Sequence, residues 1–165
     1  MSGLHIPQVR PLPWVFDDGG RSLATGFGGT SRVSDCVVRA IAIAGLFGYA
    51  EVYQEIFERQ KHWASTARSQ AARQFRERKS ISPVDIGVAN AVWRSYIQEL
   101  GWTWVPTMAI GTGTKVHLAQ GELPDGRLVV RCSRHLVAVV DGVIHDTHDP
   151  SRRGTRAVYG YYVAA

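Results

Sequence analysis

The dipeptide Asp141-Gly142 constrains this chain more than any other pair of residues. It lies between Val137-Ala-Val-Val140 and Val143-Ile144, and Asp-Gly between β-branched runs is a strong two-residue hairpin turn. With those two residues as the loop, Val140 faces Val143, Val137 faces Asp146 and His135 faces His148. Side chains alternate along a strand, so His135, Val137, Ile144, Asp146 and His148 share one face. Asp141, His145 and Asp149 fall on the other. Asp146 then sits diagonally from His135, with backbones roughly 7–8 Å apart, within side-chain reach. A three-residue loop would shift the register and dissolve this grouping.

A histidine oriented by a carboxylate needs a group to act on. Cys36 meets that need, in Ser34-Asp35-Cys36-Val37-Val38-Arg39-Ala40-Ile41-Ala42-Ile43-Ala44. Ser34 and Asp35 are both good N-cap residues, and the segment after them is apolar almost all round, as in a helix central to a core. Arg39 is the exception, four residues after Asp35, an ion-pair spacing on a helix. Gly45 and Gly48 are expected to end the helix.

The chain has 165 residues, 45% hydrophobic and 20% charged, which suits one globular domain with a full core. No apolar run approaches membrane-spanning length, and Met1 to Arg10 lacks the basic start and apolar core of a secretory signal. The expectation is a cytoplasmic protein with no membrane partner and reduced cysteines. The formal charge of +5 suits an acidic partner but is ordinary for a soluble protein.

Residues 1–13, with three prolines, read as an extended lead-in. Trp14 to Phe16 reads as a short strand, and Asp17-Asp18-Gly19-Gly20 as a turn. Gly26 to Ser31 is a glycine-rich loop just before Cys36, where a ligand can approach the backbone closely. A helical region is expected from Ala50 to Lys79, with a break near His62 to Ser65. Ser82-Pro83-Val84-Asp85 starts another helix: a capping residue, proline at the first helical position and an acid behind it. That helix is expected to reach Leu100 and stop at Gly101. Strands follow over Trp102–Met108, Arg127–Cys132 and Ala157–Val163, with Thr114 capping a short helical turn through Gln120. The helical part thus covers 34–100 and the sheet part 102–165. Helices first and an antiparallel sheet second make an α+β domain.

The chemistry follows from those placements. A thiol in the first turn of a helix meets backbone N–H groups and the positive end of the helix dipole, which favour a thiolate. The same N–H groups can hold the oxyanion of an attacked carbonyl. His135 would act as base and then as acid, and Asp146 would fix its tautomer and orientation.

This order of elements resembles the papain-like cysteine peptidase superfamily: a Cys heading a buried helix, further helices, His135 opening a strand, and Asp146 on the next. The ending His135-Leu-Val-Ala-Val-Val and Ile144-His-Asp146 is most similar to the compact bacteriocin-leader-processing branch. The resemblance spans about 30 to 163 through short motifs. It implies that Cys36 is the nucleophile, His135 the base and Asp146 the orienting residue, on a papain-like fold. Papain-like enzymes usually carry a Gln shortly before the Cys as oxyanion donor. Here Thr30-Ser31-Arg32-Val33-Ser34-Asp35 holds none, leaving a backbone N–H of the Gly28 to Ser31 loop, or the Thr30 or Ser31 hydroxyl.

Other readings compete. A lone Cys in an apolar helix is usually a core residue. Cys132 heads no helix and reads as strand core. Asp149, before Pro150, reads as a turn residue that rivals Asp146, and His148 as a second ring lining the site. Cys132, His135, His145, His148 and Asp149 could suggest zinc, but no CxxC or HExxH spacing supports it and alternation splits them over two faces. No metal or cofactor is expected. Arg68, Arg73, Arg76, Arg78 and Lys79 form a basic stretch that could dock an acidic protein or nucleic acid; a solvated helix face explains it as well.

The expected activity is a Cys-His-Asp thiol hydrolase acting on a peptide or isopeptide bond in a protein or peptide substrate. Amide deamidation or transamidation would use the same groups. The alternative is a non-catalytic binding protein that uses the basic helix. The small size suits a bacterial or phage protein.

Overall fold

A computed structural model describes residues 8–24, 34–109, 111, 113 and 115–165. Thr30, Ser31 and the glycine-rich loop around them lie outside the described residues. Among the described residues, five α-helices and a six-stranded mixed sheet form the α+β arrangement. The helices are α1 (Cys36–Gly45), α2 (Tyr49–Thr66), α3 (Gln70–Arg76), α4 (Pro83–Ile86) and α5 (Asn90–Glu99). The strands are β1 (Trp14–Phe16), β2 (Thr103–Pro106), β3 (Arg127–Cys132), β4 (His135–Val140), β5 (Val143–Asp146) and β6 (Gly160–Val163).

The hairpin register is the one the Asp141-Gly142 turn dictates: Val140 faces Val143, Val139 faces Ile144 and Ala138 faces His145. Both loop residues have positive φ, 46° and 76°, as a mirror-image turn demands. A second tight turn at Ser133-Arg134 pairs Cys132 with His135. The sheet order is β1-β5-β4-β3-β6-β2. It is not wholly antiparallel, because β1 adds to β5 in parallel. The lead-in has no hydrophobic period to announce this. Its anchors are Leu12, which is buried, and Pro11, which bridges Ala119.

The sheet separates two apolar clusters. On one side Val37, Val38, Ile41 and Ala44 of α1 pack with Val52, Ile56, Trp93, Ile97, Val129 and Leu136. On the other, Val137, Val139, Ile144 and Cys132 pack with Leu12, Leu118, Leu128 and Val158. Burying each large aliphatic side chain contributes roughly 1.5–3 kcal/mol, so α1, covered on nearly every side, is held firmly in place. Leu46, in the left-handed conformation, caps α1 where a glycine was expected.

Three helical expectations need correction. The segment from Pro83 to Leu100 is two helices, not one. Ser82 caps and Pro83 opens α4 as expected, but Gly87 at φ 77° turns the chain before α5. The buried Gln60 side chain holds that break, donating to the carbonyls of Ile81 and Gly87 and accepting from the Ala89 N–H. The α2–α3 break falls at residues 67–69, just after the expected place. Thr114, the expected cap, lies outside the described residues, and residues 115–120 form no helix: His117 bridges Ala157, and Leu118 and Ala119 are buried.

Candidate active site

Cys36 is the first residue of α1, His135 the first of β4 and Asp146 the last of β5. All three meet at one end of the sheet. His135 Nε2 lies 2.6 Å from Asp146 Oδ2. With Nε2–H given to the carboxylate, Nδ1 is the ring nitrogen left for the thiol. The imidazole acts on Cys36 through hydrogen bonding and charge, and the Leu136 N–H donates to the sulfur.

The electrostatics follow. Burial raises the Cys36 thiol pKa, but His135, the Leu136 N–H and Arg39 outweigh it, and the thiol falls below its ordinary value. Burial lowers the His135 pKa, yet its hydrogen bonds to Asp146 and Cys36 push it up to about 9. For Asp146 burial is again the largest influence and raises the pKa. His135, Arg39 and the Thr147 N–H outweigh that and hold the carboxyl below its usual range. Each group favours the charged form of its neighbour. Cys132 is the contrast: burial in the second cluster pushes its thiol up to about 11. Both cysteines are free thiols.

Two features were not legible in the sequence. Asp35 makes no side-chain cap. Fully buried, its carboxylate pairs with Arg39 as expected and also takes Arg21 at 2.7 Å and the Tyr49 hydroxyl at 2.7 Å. Arg39 carries the second: Nη2 lies 2.9 Å from Asp146 Oδ1, across 107 positions of sequence. Only the Asp35–Arg39 spacing signals any of this in advance.

The site opens into a cleft of about 940 Å³ lined by Cys36, Asn90, Trp93, Arg131, Arg134 and His148, among others. The His148 ring lies 5.3 Å from that of His135 at the cleft wall, the second ring anticipated for the site. Asp149 belongs elsewhere: its Oδ1 accepts from the Ser151 N–H in a local turn. His145 pairs with Asp17.

His135, Asp146 and His148 bring ligand-type atoms within 4.8 Å of one another. The carboxylate between them is already engaged by Arg39, His135 and the Thr147 N–H. A guanidinium 2.9 Å away opposes a cation there, so these donors fit an acid–base pair better than a metal.

The basic stretch is not one helix face. Arg68 precedes α3, while Arg78 and Lys79 follow it. Arg76 donates to the carbonyls of Ala64 and Ala67 and so closes the end of α2. Arg78 sits over the Phe75 ring, and Arg73 lies exposed in the last turn of α3. Among the described residues no helix is long and apolar enough to cross a membrane. Comparison with family models, curated proteins and solved structures finds no match.

Proposed function

We propose that this chain is a cysteine-dependent hydrolase of peptide or isopeptide bonds, with a papain-like arrangement of helix, thiol and hairpin. The observation that carries the reading is the relay Cys36–His135–Asp146 at the mouth of a cleft, with the thiol lowered and the imidazole raised to about 9. Cys132 lines the same cleft, but it heads no helix and burial pushes its thiol up to about 11.

The Cys36 thiolate attacks the carbonyl carbon of the scissile amide. The negative charge that develops on oxygen is met by the N–H groups of the first turn of α1, which have no partner within the helix. His135, as imidazolium, gives its proton to the leaving nitrogen, and an acyl-thioester remains. Water then attacks, losing its proton to the neutral imidazole, and the thiolate leaves. Asp146 keeps Nε2–H engaged, so Nδ1 faces the thiol throughout. A glutamine side-chain amide fits the same chemistry.

Alkylation by iodoacetamide tests the reading. Cys36 reacts at neutral pH far faster than free cysteine, and Cys132 does not. A Cys36 as slow as a core thiol would sink the enzyme and leave the basic-stretch binding protein as the better account.

A further inference from the structure

Four arginines line the cleft beside Cys36: Arg21, Arg39, Arg131 and Arg134. No aspartate or glutamate lines it among the described residues. Arg21 and Arg39 are neutralised by Asp35 and Asp146. Arg131 and Arg134 pair with no carboxylate among the described residues. Arg131 lies on β3 just before the turn that leads into His135, and Arg134, at φ 56°, is the turn residue immediately before the histidine.

Arg131 is held in place. Its guanidinium sits 5.8 Å from the centre of the buried Trp93 ring, and Arg94 sits 5.4 Å from the same ring. The indole thus gathers two like charges, of which Arg131 lines the cleft. Burial, then the Arg94 charge, hold Arg131 below the ordinary guanidinium range. A guanidinium stacked on an aromatic face is pre-organised for two-pronged recognition of a carboxylate.

Resting on the thiol-hydrolase reading, we propose that Arg131 and Arg134 select peptide substrates that carry a carboxylate close to the bond attacked by Cys36. The carboxylate is supplied either by an acidic side chain or by a free chain terminus, since both present the same two oxygens. A substrate carboxylate in this cleft replaces water around two cations without displacing any protein anion, and the imidazolium of His135 adds to the same field.

Two alkylating reagents that differ only in charge provide the test. Iodoacetate carries the carboxylate and iodoacetamide the neutral amide; in each the thiolate bonds the methylene carbon as iodide leaves into solution. The rate ratio of iodoacetate to iodoacetamide at Cys36 should exceed that of free cysteine. It should fall roughly threefold or more in Arg131→Gln and again in Arg134→Gln, as expected for removing a cation near the thiol. Arg134 is exposed, so its variant tests the point even if Arg131→Gln fails to fold. Slow reaction with both reagents would refute the enzyme reading. Fast reaction whose ratio does not fall in Arg134→Gln would leave the thiolate standing and overturn the carboxylate site. Binding to the Cys36→Ala protein then separates the sources: peptides with Glu against Gln, and with a free against an amidated terminus. Either preference, lost in Arg134→Gln, supports the proposal. Arg134-dependent binding confined to a single-stranded oligonucleotide refutes it.

Discussion

Arg39 on α1 grips Asp146 at the end of β5 with 2.9 Å between nitrogen and oxygen. The helix that begins with Cys36 therefore also holds the acid that orients His135. Position of the thiol and orientation of the imidazole are set by one rigid element.

Removing that grip is costly. Arg39 is 6% exposed, and Asp35 and Asp146 are 0% and 1% exposed. Arg39→Ala leaves two buried carboxylates short of a cation, and is expected to lower stability by about 3–5 kcal/mol. Urea denaturation measures this. A loss under 1 kcal/mol would mean that the pairing is peripheral.

On the proposed mechanism, Cys36→Ala should remove all hydrolysis and keep the fold, because the change is small and apolar. Cys132→Ala keeps the activity, with a modest stability loss from the emptied space in the second cluster. Turnover that survives in the first variant, measured on any substrate found, rules out Cys36 as nucleophile.

Asp146→Asn weakens the hold on the His135 tautomer and removes a charge that favours imidazolium. The inflection of Cys36 alkylation against pH should move upward, and turnover should fall. Asp149→Asn should leave both nearly unchanged, because the Asp149 carboxylate accepts from the Ser151 N–H within its own turn. The reverse ranking would contradict the site geometry.

The working pH window has two edges. The rise in alkylation should come below the ~8.5 of a free thiol. Amide hydrolysis should decline as pH passes about 9, where His135 loses the proton the leaving nitrogen needs. Stability follows the same sign. The histidine pKa is raised on folding, so its contribution is complete below the unfolded value of ~6.5 and fades as pH rises through about 9. Thermal melts of the native chain and His135→Ala should therefore converge at high pH.

Gly160→Ala tests the far side of the sheet. A Cβ there would lie 2.4 Å from the Trp104 ring and 2.8 Å from the Val105 carbonyl oxygen. Crowding of this kind costs about 1–3 kcal/mol. An unchanged urea midpoint would mean that β2 does not rest on β6 as described.

The parts of this molecule that sequence made legible are local ones. Asp141-Gly142 sets a register, and the register puts Asp146 beside His135. The apolar run after Asp35 shows which helix is central. What stayed hidden depends on distant partners. Nothing near Trp14 says that β1 joins β5, because parallel pairing leaves no turn to read. The break at Gly87 was masked by a helical pattern continuing on both sides, and its support is a glutamine on another helix. Arg39 announced its neighbour Asp35 but not Asp146, since a local spacing cannot report a contact across 107 positions.

That long span has a kinetic side. Contacts between remote parts of a chain form late, after the loop between them has closed. During synthesis Cys36 emerges well before His135, Asp146 and the hairpin that carries them. Until those arrive, the thiol has no imidazole beside it and behaves as an ordinary cysteine. On the proposed function, the setting that lowers the thiol is therefore absent from a half-made chain and complete only when β4 and β5 have joined the sheet.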